Sequence, residues 1–515
     1  MYSSHIYAIN RILTQHLCLA RNSEQSSFCT IFGKMYFSQV TLLLLLYIYV
    51  ADGVGINGLG NVYRYFLKEM NSTGLLMESD TTSIKSNWID LPLDHFNIKE
   101  KRTWKMRYFE RLDMWKPGKP IYLFMNGEGP ASSAFLKTGI MYDLAKETNG
   151  AMFLSEHRYY GKSMPLNNSN TENMKYLSSR QALADNAQLL ACIKSIPKFN
   201  DSKVVVIGGS YAGNLAAWMK LLYPDVVDAA LASSAPVLAK LDFYEYLETV
   251  SEDLDEYGPP GCLDKVSKIF KRYEDLFSTD EGIEVLKKEE NICADNDMRK
   301  EENRQLFFLE KASNFMYLAQ YGNPDKIYSY CEDQKSLLPN DRDEFNPVWN
   351  KKNNCFDYDF DNMIESIREI DWYLSWTYQT CTEFSYFQTT NSDSQPFTRN
   401  VPIELYYKMC TKLFGPEFNE DMVKRGVNET NRLYGGLNLN VTKVVFVNGQ
   451  MDPWSKLSIL EDLSYEAPAA IVPRSSHCRD LFSDRSSDPE ELKEVRRYVK
   501  YLIKRWIGAG EYRTL

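Results

Sequence analysis

The run Val204-Val205-Val206-Ile207 leads straight into Gly208-Gly209-Ser210-Tyr211-Ala212-Gly213, and this junction constrains the fold more than any other stretch of the chain. The β-branched apolar residues read as a short strand buried on both faces. A strand that ends in Gly-x-Ser-x-small and runs directly into a helix turns too sharply for side chains at the flanking positions, so Gly or Ala must stand there. The strain lifts the serine hydroxyl above the sheet edge, within reach of a base. Residues 214–222 read as the helix that follows, its N-terminus presenting partial positive charge to the serine. Ala212 is a small departure from Gly at the last motif position, and sterics permit it. The plainer reading of these residues is a glycine-rich strand–helix turn, which α/β proteins use often.

A serine nucleophile needs a base, usually His, and the base needs an orienting acid. The chain has five histidines: His5, His16, His95, His157 and His477. The first two fall in a targeting region. His157 precedes Ser210, the wrong side for the chain order of this kind of fold. His477 remains, in the loop-like Ser475-Ser476-His477-Cys478 after the apolar run 469–472. The acid should lie between Ser and His. Val444-Val445-Phe446-Val447 reads as a buried strand, followed by Asn448-Gly449-Gln450-Met451-Asp452-Pro453-Trp454. Asp452 therefore sits in a loop after a strand. Alone, it could be an ordinary turn-capping Asp before Pro, and His477 a loop histidine with a backbone partner. Three strand-end placements in the order Ser210, Asp452, His477 favour the catalytic reading.

With these residues in view, the sequence resembles the lysosomal Pro-Xaa carboxypeptidase family, which also contains dipeptidyl peptidase II and the thymus-specific serine protease. The resemblance rests on Gly-Gly-Ser-Tyr-Ala-Gly, Asn-Gly-Gln-Met-Asp-Pro-Trp and Ser-His-Cys. Two further segments match, Asn126-Gly127-Glu128-Gly129-Pro130 and Glu156-His157-Arg158-Tyr159-Tyr160-Gly161-Lys162-Ser163. It spans roughly residues 85–507, and His-Cys with Gly-Glu-Gly-Pro leans toward the thymus-specific branch. The resemblance implies a secreted or lysosomal serine peptidase, often cutting after Pro, with peptides as substrates. Carried over by motif, Ser210 is the nucleophile, Asp452 the acid and His477 the base.

The chemistry also needs donors for an oxyanion. The backbone N–H of Tyr211 is the expected first donor, and Gly127 or Glu128, in the loop after the apolar run 121–125, the second. The plainer reading of that loop is a glycine-rich turn. Nothing in the motifs calls for a cofactor. No Cys-x-x-Cys pair occurs, so no metal is expected.

Charge and cysteines bear on compartment. The chain has 515 residues, a net charge of −10 and a pI near 5.3, which argues against nucleic acid as a partner. Residues 40–50 are almost wholly apolar, too short to span a bilayer but suited to a signal-peptide core. Residues 1–55 are thus read as an upstream extension plus signal peptide, and 56–84 as an N-terminal arm or pro-segment; no stable membrane span is expected after cleavage. Beyond Cys18 and Cys29, eight cysteines remain, an even number: Cys192, Cys262, Cys293, Cys331, Cys355, Cys381, Cys410 and Cys478. Cys381 and Cys410 make a plausible local bridge, and Cys478 is either bridged or a buried thiol. Sequons at Asn71, Asn167, Asn200, Asn428 and Asn440 fit glycosylation on a secretory route.

The organisation reads as an α/β-hydrolase core interrupted by an insert. Segments 85–240 and 436–515 alternate strand and helix patterns, predicting a mostly parallel sheet with helices on both faces. Between them, 241–435 is acidic, aromatic and helical in pattern, a disulfide-containing cap. Within it, an aromatic run around Cys381 includes Trp376, a candidate pocket wall for a Pro ring. Trp454, beside Asp452, is a better one, and Arg479 is placed to bind a substrate carboxylate or to be an ordinary salt-bridged Arg. Other readings are an esterase or lipase with the same triad, and a catalytically inert peptide-binding relative. Oligomeric state is open, a homodimer included.

Overall fold

The computed structural model describes residues 83–332, 349–350 and 353–509. The apolar segment 40–50, nearly all of the 56–84 arm and Asn71 lie outside these residues.

An eight-stranded sheet forms the frame, in the order β1-β2-β4-β3-β5-β6-β11-β12. Its strands are β1 (Ile84–Pro92), β2 (Thr103–Arg111), β3 (Ile121–Met125), β4 (Ala151–Ser155), β5 (Val204–Gly209), β6 (Ala229–Ser233), β11 (Val444–Gly449) and β12 (Ala469–Val472). The hairpin β1–β2 and the pair β2–β4 are antiparallel; every other pairing in the sheet is parallel. β3, β5 and β6 are wholly buried, which is why they read as continuous apolar runs rather than alternating ones. Two helical layers cover the sheet. Helix α1 (Ile140–Thr148) packs with the terminal helix Glu490–Trp506, and α2 (Ser179–Ser195) with α3 (Tyr211–Leu222). This is the architecture of an α/β-hydrolase.

Between β6 and β11 the chain is mainly helical. Helix α4 (Glu245–Tyr257) packs on α5 (Glu301–Tyr321), and both touch the turn Pro453–Leu457 that follows Asp452. Helix α6 (Asp371–Gln379) runs into a single π turn, Thr380–Phe384. Four short strands form two pairs here: β7 (Lys240–Asp242) pairs in parallel with β10 (Ser385–Phe387), and β8 (Trp349–Asn350) with β9 (Cys355–Phe356) antiparallel. The β7–β10 pair ties the insert to the chain leaving β6. Tyr434, in the insert's last helix α7 (Glu420–Tyr434), stacks on Trp218 of α3 with ring centroids 3.8 Å apart.

Disulfides Cys262–Cys331, Cys293–Cys355 and Cys381–Cys410 all lie in the insert. The even count of eight therefore does not translate into four bridges: Cys478 is a buried thiol, and Cys192 lies outside these three pairs. The sequon asparagines Asn167, Asn200, Asn428 and Asn440 are all exposed.

Candidate active site

At the end of β5 the backbone of Ser210 adopts φ 58°, ψ −134°. For a residue with a Cβ this region costs on the order of 1–3 kcal/mol. The neighbours make the turn feasible. A Cβ on Gly208 would sit 2.0 Å from the carbonyl oxygen of Ala212, and one on Gly209 would meet Leu481 at 2.5 Å and the Cys478 Sγ at 3.0 Å. The Ser210 N–H donates to the Ser233 carbonyl of β6 (2.9 Å), and α3 begins at the next residue.

Asp452 and His477 arrive from the β11 and β12 ends. Asp452 makes two contacts: one carboxylate oxygen accepts the Trp454 N–H (3.1 Å) and caps the turn, while the other meets His477 Nδ1 at 2.8 Å. The insert holds the histidine loop, since the His477 N–H donates to the Gln320 carbonyl of α5 (3.0 Å) and the Tyr321 ring stands edge-on to the imidazole. From the core, Ser234 Oγ accepts the Cys478 N–H (2.9 Å). The residues next to Ser210 and His477, Gly209 and Cys478, are thus in close approach. Ser210 Oγ and His477 Nε2 are both buried, and neither is hydrogen-bonded to another group among the described residues. Burial, the largest single influence, favours a neutral His477, but the Asp452 carboxylate and Cys478 together outweigh it and raise the imidazole well above its usual range. Burial raises the Cys478 thiol.

The loop after β3 lies against the start of α3. The position of a Cβ on Gly127 is 3.2 Å from the Ala212 nitrogen and 3.5 Å from the Tyr211 ring. Asn126 Nδ2 donates to the Gly129 carbonyl (2.5 Å), closing the loop. Glu156 supports it from below: its carboxylate accepts the N–H groups of Ala131 and Lys162 (both 3.0 Å) and the Ser163 hydroxyl (2.8 Å), and pairs with Arg107. The Glu128 side chain is buried with one oxygen unpartnered, and burial pushes its carboxyl up to about 7, opposed in part by the charge of His477.

Trp454 is buried within 5.4–5.6 Å of the rings of Phe243, Tyr246 and Tyr386. Trp376 lies 5.5 Å from the Tyr211 ring, beside the elbow. The Arg479 guanidinium reaches Asp488 at 3.7 Å and lies over Phe482, as in the salt-bridged alternative. Sequence reasoning set His157 aside on chain order, yet its Nε2 meets the Tyr211 hydroxyl at 3.0 Å, and Gln379 Nε2 reaches the same oxygen at 2.9 Å. The 156–163 motif was the available signal for His157. Gln379 carried none, being 168 residues from Tyr211.

A strained serine at a β5–α3 elbow, with an Asp–His pair delivered from later strands of a mostly parallel sheet, defines a serine hydrolase of the α/β-hydrolase class. Residues 91–499 match the serine carboxypeptidase S28 family, and the chain belongs to it. It is 30% identical to the thymus-specific serine protease of Mus musculus over 82% of this chain and 87% of that one. It is 28% identical to the lysosomal Pro-X carboxypeptidase of Bos taurus over 83% and 89%. Among solved structures it is similar to the proline iminopeptidase of Mycobacterium smegmatis, with TM-score 0.32 and 11% identity over 82% of this chain and 100% of that one. That score is too low to argue from, and the fold rests on the strand order. The chain is a serine-type peptidase. No helix among the described residues is long and apolar enough to cross a membrane.

Proposed function

We propose that this peptidase acts on proline-containing peptides in the secretory pathway or beyond it, through an acyl-enzyme on Ser210. The observation that carries the assignment of roles is the 2.8 Å contact between Asp452 and His477 Nδ1. It leaves Nε2 as the acceptor once the imidazole is neutral. His477 takes the Ser210 proton as the hydroxyl attacks the scissile carbonyl, then delivers it to the leaving amine. Water repeats the cycle to release the acyl group. Asp452 holds the tautomer and stabilises the imidazolium. The Tyr211 N–H, with an N–H from Gly127 or Glu128, receives the oxyanion. The proline preference is supported by a relative's being a Pro-X carboxypeptidase and by the aromatic cluster beside the elbow, where Trp376 packs on the Tyr211 ring and Tyr386 on Trp454. The exposed sequons and the disulfides support an exported, extracellular or lysosomal protein.

The test is labelling with a fluorophosphonate probe and turnover of fluorogenic Xaa-Pro peptides beside a short-chain p-nitrophenyl ester. Labelling at Ser210, lost in Ser210→Ala, with peptide turnover, is the expected result. Ester turnover without peptide turnover would move the assignment to an esterase. Absence of labelling in folded protein, before and after N-terminal trimming, would remove the catalytic reading.

A further inference from the structure

The hydroxyl of Tyr211 is held from two sides, one in the core and one in the insert, and the bonds around it have a single consistent direction. His157 Nδ1 faces the Arg158 carbonyl at 2.7 Å, so Nδ1 carries the hydrogen and Nε2 is an acceptor. The Tyr211 hydroxyl must therefore donate to His157 Nε2 (3.0 Å) and accept from Gln379 Nε2 (2.9 Å). The other Gln379 Nε2 hydrogen goes to Glu383 (3.0 Å), and the Gln379 carbonyl accepts the Tyr160 hydroxyl (2.7 Å). Glu383 accepts in turn from the N–H (3.0 Å) and hydroxyl (2.6 Å) of Ser179, whose oxygen also meets the Tyr434 hydroxyl (2.8 Å). Burial holds His157 down near pH 4, so it stays neutral as this arrangement requires. Tyr211, Tyr160, His157 and Gln379 are all buried. Rotating the phenol away would leave several buried groups without partners.

We propose that Gln379 is a positioning residue for catalysis: by clamping the Tyr211 side chain against His157, it fixes the backbone N–H that receives the oxyanion. Tyr211 directly follows the strained Ser210 and opens α3, so displacement of its ring is transmitted to the elbow within one residue. The same ring stands 3.5 Å from the Cβ position of Gly127 and so backs the loop that supplies the second donor. Because Gln379 ends α6 and Glu383 lies on the π turn, the insert is a mechanical part of the oxyanion site as well as a cover over it. The proposal rests on the peptidase reading given above, and its test separates the two.

The variants are Gln379→Leu, Tyr211→Phe, which removes one oxygen and guards against a misfolded Gln379→Leu, and Gln379→Glu. The expected result for the first two is a fall in kcat of roughly 10- to 100-fold on an Xaa-Pro peptide, with KM within about twofold and slower phosphonylation of Ser210. Gln379→Glu places a second carboxyl beside Glu383, facing Tyr211, Tyr160 and, across Tyr211, His157. When protonated it can still donate; when ionised it cannot. Its kcat should fall with rising pH in a step that wild type lacks. Hydrogen exchange at residues 210–213 reads the clamp independently of turnover: exchange should quicken in Gln379→Leu and Tyr211→Phe. Unchanged elbow exchange overturns the clamp even if wild type proves unreactive. So do wild-type kcat in both variants, a defect confined to KM, or a Gln379→Glu profile without the added step.

Discussion

His477 carries opposed influences: burial favours the neutral ring, while Asp452 and Cys478 favour the charged one and together win. A general base must be neutral, so kcat/KM should rise with pH along an acid limb whose apparent pKa lies above the ordinary 6.5 of a histidine. A pH series of kcat/KM in wild type checks this. Asp452→Asn removes the tautomer lock as well as the charge and should cost about 10⁴-fold in kcat, with the protein still folded. Glu128 supplies a third test at this scale. Its carboxyl, raised to about 7 by burial, interacts electrostatically with His477 and favours the imidazolium once ionised. Glu128→Gln removes that negative charge, so the acid limb should move to lower pH; a limb that stays put would place Glu128 outside the electrostatic reach of the base. These pKa directions favour working nearer neutrality than a strongly acidic compartment provides.

The element that matters most in the insert is the π turn after α6. It carries Cys381, whose bridge to Cys410 closes a separation of 29 residues, and it lies between Gln379 and β10. A bridge of that span stabilises by about 3–4 kcal/mol in the loop-closure estimate. The paired change Cys381→Ser with Cys410→Ser should lower the melting temperature. It should also reduce kcat more than removal of the Cys293–Cys355 bridge, which has neither cysteine on the π turn that carries Glu383. Equal losses of activity in the two would mean that the bridges serve only global stability.

Across the whole molecule, several buried acids retain protons longer than they would in the unfolded chain. Burial pushes Asp253 from 3.8 up to about 9, Asp480 from 3.8 to about 6, and Glu128 from 4.5 to about 7. For a group raised on folding, the stabilising contribution is complete below the unfolded pKa and disappears as pH rises through the folded one. These three therefore withdraw stability progressively from about pH 4 toward 9. His157 acts in the other direction: burial lowers it from 6.5 to about 4, and its contribution is lost as pH falls across that window. Melting temperature should peak at mildly acidic pH and decline toward pH 8. Asp253→Asn should flatten the alkaline decline, measured by thermal unfolding across pH 4–9. An unchanged slope would mean that Asp253 is hydrated in solution.

The elbow was legible because its causes are local. Val204–Gly209 and the small residues around Ser210 are demanded by one turn, and Asp452 and His477 follow apolar runs that read as strands, β11 buried and β12 partly exposed at the sheet edge. The β1–β2 hairpin was not read, since its half-buried strands mix polar and apolar residues without a clean alternation. Contacts between distant segments left no local trace. Arg479 stands beside the base in sequence, yet packing turns its side chain to Asp488. Cys478 follows the base in a chain with an even number of exported cysteines, yet it is enclosed against Gly209 as a thiol. Chain order and composition were enough to place Ser210, Asp452 and His477 after the ends of three strands, because strand ends and tight turns obey short-range sterics. The grip of Gln379 on Tyr211, the Glu156 support under the 126–130 loop and the burial that sets the proton affinities of His477 and Glu128 came from the folded packing, because each depends on groups brought together across the chain and on the water they exclude.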